Sequence, residues 1–243
     1  MFDHPHHRKI HHILTSLDSS LFVEAEACFG GGTLISLLHG EYRWSKDIDF
    51  LCPVGSGYRT LRKAVMEATG KPEFLFKKTT GLEFPRDIKA DQYGIRFLVV
   101  ADGTPIKFEI VCEARIDLEA PEQPDWLNVP CLSPIDRYAE KLLANADRWN
   151  DSSIESRDLI DLAVLRLNEG SSEQAIAKAE DAYPVLIPLE NALKKFQGSD
   201  DYRRKCFNAL EVRNKALVLD GIDLLASDQE LPVTQRLRDE LHC

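Results

Sequence analysis

Residues 30–50 read GGGTLISLLHGEYRWSKDIDF, and the reading of this stretch decides the fold. A glycine-rich turn, Gly30 to Gly32, leads through Thr33 into an apolar segment of helical character. A short connection then delivers two carboxylates, Asp47 and Asp49, separated by Ile48. After Ser45 the pattern is that of a strand. Alternate side chains share a face, so Asp47 and Asp49 point one way while Ile48 and Phe50 point toward a core. Two carboxylates side by side suit Mg²⁺, which takes hard oxygen ligands and binds through one or two carboxylates plus substrate phosphates. A pair of such ions stabilises both the attacking and the leaving oxygen of an in-line displacement. Gly31 and Gly32 let backbone N–H groups approach a phosphate, and Thr33 is placed to cap a helix over 33–39 whose N-terminus favours anions. Each piece alone is as readily a tight turn or a solvated strand end; in this order they predict a metal-dependent nucleotide site.

A third carboxylate is expected from a neighbouring strand. Residues 105–112, PIKFEIVC, form an apolar-rich strand with Glu109 between Phe108 and Ile110, and Glu109 is the expected third metal ligand. Glu113, four residues on, shares its face and reads as a charged strand end in solvent. Around this core the pattern predicts helix over 6–18, strand over 25–29, strand over 47–52, helix over 57–69, and mainly strands from 72 to 131 with a loop at Pro121–Pro124.

Beyond Ser133 the chain turns helical. Ser133, Pro134 and Asp136 make a helix start with a serine cap, a proline at the first position and an early acid. Ile135, Tyr138, Ala139, Leu142, Leu143, Ala146 and Trp149 form an apolar stripe, and Arg137, Lys141 and Arg148 lie opposite it. That basic face reads equally as solvated surface or as a counter-charge for a triphosphate. A second helix carries Arg157, Asp158 and Asp161, where an Arg157–Asp161 ion pair across one turn is a simple structural account. Helical pattern then continues, broken at Gly170, at Pro184 to Pro188, at Gly198 and at Gly221.

The 243 residues, 44% apolar and 29% charged, are ordinary for a globular protein with one large core or two smaller ones. No apolar run approaches the ~20 residues that span a bilayer, and the N-terminus lacks the apolar core of a secretory signal, so a cytoplasmic protein without membrane contact is expected. Cys28, Cys52, Cys112, Cys131, Cys206 and Cys243 show no metal-type spacing and read as reduced structural thiols. His4, His6, His7, His11 and His12 read as exposed terminal histidines rather than ligands. The net charge of −10 does not predict RNA binding. Local patches at Arg59, Arg62 and Lys63, at Lys71, Lys77 and Lys78, or at Arg203, Arg204 and Lys205 are left as candidates. An acidic surface suits a basic protein partner.

The series Gly-Gly-Thr, His-Gly-Glu-Tyr-Arg-x-Ser-x-Asp-Ile-Asp-Phe, a strand carboxylate, Glu-Lys-Leu and Arg-Asp-Leu-Ile-Asp-Leu resembles the AbiEii/AbiGii nucleotidyltransferase toxins, within the polymerase-beta-like superfamily. The matching motifs run from about Gly30 to Leu165. Many superfamily members carry Gly-Ser where this chain has Gly32 and Thr33, which keeps a hydroxyl after glycine. The resemblance implies an α/β (α+β) fold: a mixed sheet with flanking helices in a catalytic domain over 1–131, then a helical domain over 132–243 that completes a nucleotide cleft. It implies two Mg²⁺ ions on Asp47, Asp49 and Glu109, phosphates at Gly31, Gly32 and Thr33, and a nucleotide further held by Ser45, Lys141 and Asp158, with Asp161 in reserve. Lys141 would offset triphosphate charge. The implied activity moves a nucleoside monophosphate from an NTP to an acceptor such as the 3′ end of tRNA, with a cognate antitoxin as partner. Two other readings stand beside it: an enzyme of the same fold acting on a small hydroxyl compound, and a non-enzymatic module that holds nucleotide or a protein.

Overall fold

The structure, a computed structural model, describes residues 2–241; Cys243, counted above among the thiols, lies outside the described residues. The chain folds as two compact units, one of residues 1–34 and 46–133, the other of residues 35–45 and 134–243.

The first unit is built on a mixed sheet. Helices α1 (Pro5–Ser16) and α2 (Ser19–Glu24) precede strand β1 (Cys28–Phe29). Helix α3 (Gly31–Leu38), of which residues 31–34 belong to this unit, strand β2 (Ile48–Pro53) and helix α4 (Ser56–Glu67) follow. The sheet is completed by β3 (Leu82–Glu83), β4 (Lys89–Ala90), β5 (Gly94–Ala101) and β6 (Thr104–Glu113). The strand order is β1-β2-β6-β5-β3, with β4 also on β5, and β2 and β6 run parallel while the other pairs are antiparallel. One sheet face is apolar: Phe29, Phe50, Phe97 and Phe108 are buried on it, Phe22 of α2 packs against Phe50, and Phe50 stacks on Phe108 with centroids 5.4 Å apart. The alternation read in the sequence thus decides which residues are left on the opposite face.

Several local expectations shift. The helix predicted from residue 33 starts at Gly31, so Thr33 lies inside its first turn and is buried rather than capping it. Residues 72–131 hold two long strands, β5 and β6. The stretch after Glu113 is irregular because Pro121, Pro124 and Pro130 remove backbone donors, leaving single bridges from Cys131 to Phe29 and Glu122. Glu113 is buried, its carboxylate held by Arg115 at 2.7 Å, and is not a solvated strand end. The histidines belong to α1 and its cap rather than to an exposed tail: His7 is fully buried, and His6 and His11 bond the carbonyls of Lys46 and Trp126.

The second unit is helical. It contains α5 (Pro134–Arg148), α6 (Arg157–Glu169), α7 (Glu173–Ala182), α8 (Leu186–Gln197), α9 (Asp200–Ala209) and α10 (Lys215–Asp228). The polar breaks of the sequence become caps: Ser172, Ser199 and Asn214 accept backbone N–H bonds at the starts of α7, α9 and α10. Gly221 lets α10 lie directly on α6, since a Cβ there would stand 2.1 Å from the Ala163 carbonyl oxygen. Residues 35–45 join these helices through backbone bonds from Trp44 to Leu210 and from Arg213 to Tyr42, both 2.9 Å. Arg203, named above in a surface patch, is fully buried and holds Glu240 at 2.8 Å, so only Arg204 and Lys205 of that trio are exposed.

Candidate active site

Asp49 lies in β2, and Asp47 stands immediately before its first residue, so the two aspartates share the polar sheet face and both are half-buried. The glycine turn is tied to this strand twice. Gly30 N–H donates to the Asp49 carbonyl at 2.8 Å, and the Thr33 hydroxyl donates to the Asp47 carbonyl at 2.6 Å. Gly31 has a φ of +66°, and a Cβ on it would meet Asp49 Oδ2 at 2.7 Å. The residue that starts the helix is therefore glycine for two reasons: its backbone is left-handed, and its missing side chain leaves room at the second carboxylate. The first-turn N–H groups of α3 open beside that carboxylate.

Parallel pairing sets Asp49 level with Glu109 and antiparallel pairing sets Glu109 level with Arg96, so three charged residues cross three strands in one row. Glu109 does not stand open in that row. Arg96 Nε donates to its Oε1 at 2.6 Å, and Lys107 makes an ion pair with its Oε2. Burial works against the Glu109 carboxylate, yet the bonds from Lys107 and Arg96 hold it below its ordinary range. Lys107 is raised in turn: burial opposes this, but the bond to Glu109 and the charges of Glu109, Asp49 and Asp47 prevail. Among the described residues no group of three or more His, Cys, Asp and Glu side chains is arranged to hold a metal. The aspartate pair nevertheless fits a divalent cation that arrives with a triphosphate. Its donors are hard oxygens, the phosphates can supply further ligands, and the space a Gly31 Cβ would fill adjoins Asp49 Oδ2.

The remaining predicted residues form a buried charge cluster in the helical unit. Lys141 of α5 is 6% exposed, with its ammonium 2.9 Å from Asp158 Oδ1 and 2.7 Å from Asp161 Oδ2, both on α6. Arg43 grips Asp161 with two bonds, 2.6 and 2.9 Å, and the Tyr42 hydroxyl donates to the same carboxylate. Arg148 grips Asp158 with bonds of 2.6 and 2.9 Å. The basic face of α5 is therefore not solvated: Arg137 and Lys141 are buried, and Arg137 donates to Glu169. Asp161 is engaged by Arg43 and Lys141, where the sequence had suggested Arg157. Burial alone would raise Asp158 and Asp161. For Asp158 the charges and bonds of Lys141 and Arg148, and for Asp161 those of Arg43 and Lys141, bring them below 3.8 instead. Burial pushes Tyr42 well above its ordinary value, and the Asp161 charge adds to this. Ser45 is buried at the end of the segment that carries Arg43. An open groove of about 830 Å³ in the same unit, lined by Lys194, Asp200, Arg204 and Val233 among others, includes none of the residues expected to hold metal or nucleotide.

Four residues of these two constellations, Tyr42, Arg43, Arg96 and Lys107, carried no assignment in the sequence reading. Lys107 and Arg96 surround Glu109, and for Lys107 the signal was present, since residues 107 and 109 alternate onto one face. Arg43 sits inside the decisive stretch, but its partner lies 118 positions away and no local pattern reveals it.

The class of the protein is nucleotidyltransferase, and a mixed sheet whose parallel pair carries an Asp-x-Asp strand, with a glycine-led helix against the second aspartate, accords with it. The chain belongs to the family described as nucleotidyl transferase AbiEii toxin, type IV TA system, whose model matches residues 12–208. Members generally use an NTP and a divalent metal, and as toxins of toxin–antitoxin systems they have an antitoxin partner. Among solved structures, the chain is similar to JHP933 from Helicobacter pylori at 17% identity, covering 93% of this chain and 89% of that one with a TM-score of 0.49. It is also similar to a candidate nucleotidyltransferase of the same organism at 15% identity, covering 92% of each chain with a TM-score of 0.49. No curated protein matches. The class rests on the family match. No helix among the described residues is long and apolar enough to cross a membrane.

Proposed function

We propose that this nucleotidyltransferase is a cytoplasmic, Mg²⁺-dependent toxin that transfers a nucleoside monophosphate from an NTP to RNA, at the 3′ end of a tRNA, and is restrained by its antitoxin. The observation that supports the reading is the approach of Gly31 to Asp49 Oδ2, a glycine backbone beside a carboxylate at one point. The acceptor hydroxyl bonds to the α-phosphorus as the bond to pyrophosphate breaks, and the hydroxyl proton leaves to solvent. Asp47 and Asp49 would hold the metal, with Glu109 as third carboxylate. Two Mg²⁺ ions, when bound, supply charge stabilisation at the attacking and leaving oxygens. The N–H groups of Gly31, Gly32 and Thr33 receive phosphate oxygens. The Lys141 ammonium, bonded to Asp158 and Asp161, is assigned by the family resemblance to offset triphosphate charge, with Asp158 and Ser45 helping to fix the nucleotide. Catalysis of this kind is positioning and electrostatics, with little covalent chemistry left to the protein.

The test is transfer of label from each α-labelled NTP, with Mg²⁺, to total bacterial RNA by wild type and Asp49→Asn. Label on a tRNA-sized band with wild type alone is the expected result; label from both proteins overturns the metal assignment. The charge of −10 favours a second reading, a small hydroxyl acceptor, which labelled small molecules without labelled RNA would establish.

A further inference from the structure

The proposed third carboxylate is already occupied by this chain's own cations, and the two cations are held differently. Arg96 is fixed from both sides: it donates to Glu109 and, at 3.0 Å, to Asp91, whose carboxylate is itself held by the N–H groups of Tyr93 and Gly94. Lys107 is half-exposed, its side chain 48% accessible, and reaches Glu109 on a flexible stem. It also stands two residues before Glu109 on β6, as Asp47 stands two before Asp49 on the parallel neighbour, so Lys107 shares the polar sheet face with the aspartate pair.

We infer that Lys107 is a resident counter-cation of the acidic row, which keeps a divalent metal off the carboxylates until nucleotide arrives, while Arg96 fixes the orientation of Glu109. The inference rests on the metal reading given under Proposed function. Three carboxylates crowded on one sheet face repel each other, and an ammonium among them relieves that repulsion in the metal-free protein. A dication entering the row meets the ammonium's positive charge and must displace it. A nucleotide changes the balance, because its triphosphate brings negative charge that both the metal and Lys107 can face. Metal and nucleotide then load together, and free metal alone loads poorly. Lys107 is in this sense a positioning residue that sets when the site is charged.

The test is manganese binding, followed by the spectroscopic signal of free Mn²⁺, for wild type, Lys107→Met and Lys107→Arg, each without nucleotide and with a non-hydrolysable NTP analogue. The exposed position of Lys107 lets both variants fold, which circular dichroism checks. Lys107→Met is expected to bind Mn²⁺ about tenfold more tightly than wild type without nucleotide, to lose most of that advantage with the analogue, and Lys107→Arg to behave as wild type. Equal Mn²⁺ affinity of wild type and Lys107→Met without nucleotide overturns the inference and leaves the metal reading standing. Mn²⁺ bound by none of the three, even with the analogue, overturns both.

Discussion

The polar face of the sheet and the buried cluster of the helices use the same residue types in opposite ways. On the sheet, Asp47, Asp49 and Glu109 are half-buried, and one of the two cations on Glu109 is a half-exposed lysine on a flexible stem. In the helical unit, Arg43, Lys141, Asp158 and Asp161 are buried, and each is bonded to groups of opposite charge. The first arrangement keeps carboxylates accessible to an incoming cation at little cost in stability. The second has already given up its solvation and depends on its internal partners. A motif match treats the two alike; burial separates a place where charge can be exchanged from a place where it is committed.

The largest expected effect lies on the sheet. Asp49→Asn should lower transfer by about 10⁴-fold, roughly 5.5 kcal/mol of barrier, because an amide is a poor ligand where a carboxylate must face a cation. The melting temperature should hardly change, since Asp49 is half-buried and the substitution preserves its shape. A variant that loses activity only in step with its folded fraction would place Asp49 with the cohesive cluster and break the contrast.

The mirror experiment is in the helices. Asp161→Ala leaves Arg43 without its bidentate partner and changes a cluster of three cations and two anions into three and one. A loss of about 3–5 kcal/mol in urea unfolding is expected. The pH dependence carries a sign. Asp158 and Asp161 have folded values lowered from 3.8, so their contribution is fully present above that pH and is lost as pH falls through the lowered values. Wild type should therefore lose stability steeply below pH 3.8, Asp161→Ala less steeply from a lower start, and Asp49→Asn should follow the wild-type acid limb. A wild-type acid limb as shallow as that of Asp161→Ala would remove the coupling argued here.

How much of this was legible depends on sequence distance. The Asp-Ile-Asp strand, the helix start at Ser133 and Pro134, and the strand that carries Glu109 follow from alternation and capping, which act over a few residues. The allegiance of residues 35–45 to the helices, the Arg43–Asp161 grip and the burial of Arg203 against Glu240 do not. They join residues 118 and 37 positions apart through side chains that look like ordinary surface charges in the sequence. Even the local reading of Thr33 failed by two residues, because Gly31 tolerates the left-handed backbone that starts the helix early.

Gly31→Ala probes that start. The new Cβ would stand 2.7 Å from Asp49 Oδ2 on a backbone with φ of +66°, so both the backbone and the carboxylate must move. Transfer should fall about 100-fold, near 2.7 kcal/mol, against a stability loss of about 1–2 kcal/mol. Activity close to wild type would show that the aspartate can shift without penalty, and would remove the glycine contact as the carrier of the functional reading.

The smallest effect on turnover is expected where the two regions are hardest to tell apart. Lys141 has the burial of a structural residue and the motif of a functional one. Lys141→Met takes the cluster from three cations and two anions to two of each, with Asp158 still held by Arg148 and Asp161 by Arg43. The apolar stem is nearly preserved, so the stability loss should be about 1–2 kcal/mol rather than the larger value for Asp161→Ala. If the ammonium also meets the triphosphate, turnover should fall more than tenfold beyond any loss of folded protein, and the KM for NTP should rise. Turnover that tracks the folded fraction would assign Lys141 wholly to cohesion and leave the sheet face as the seat of the chemistry.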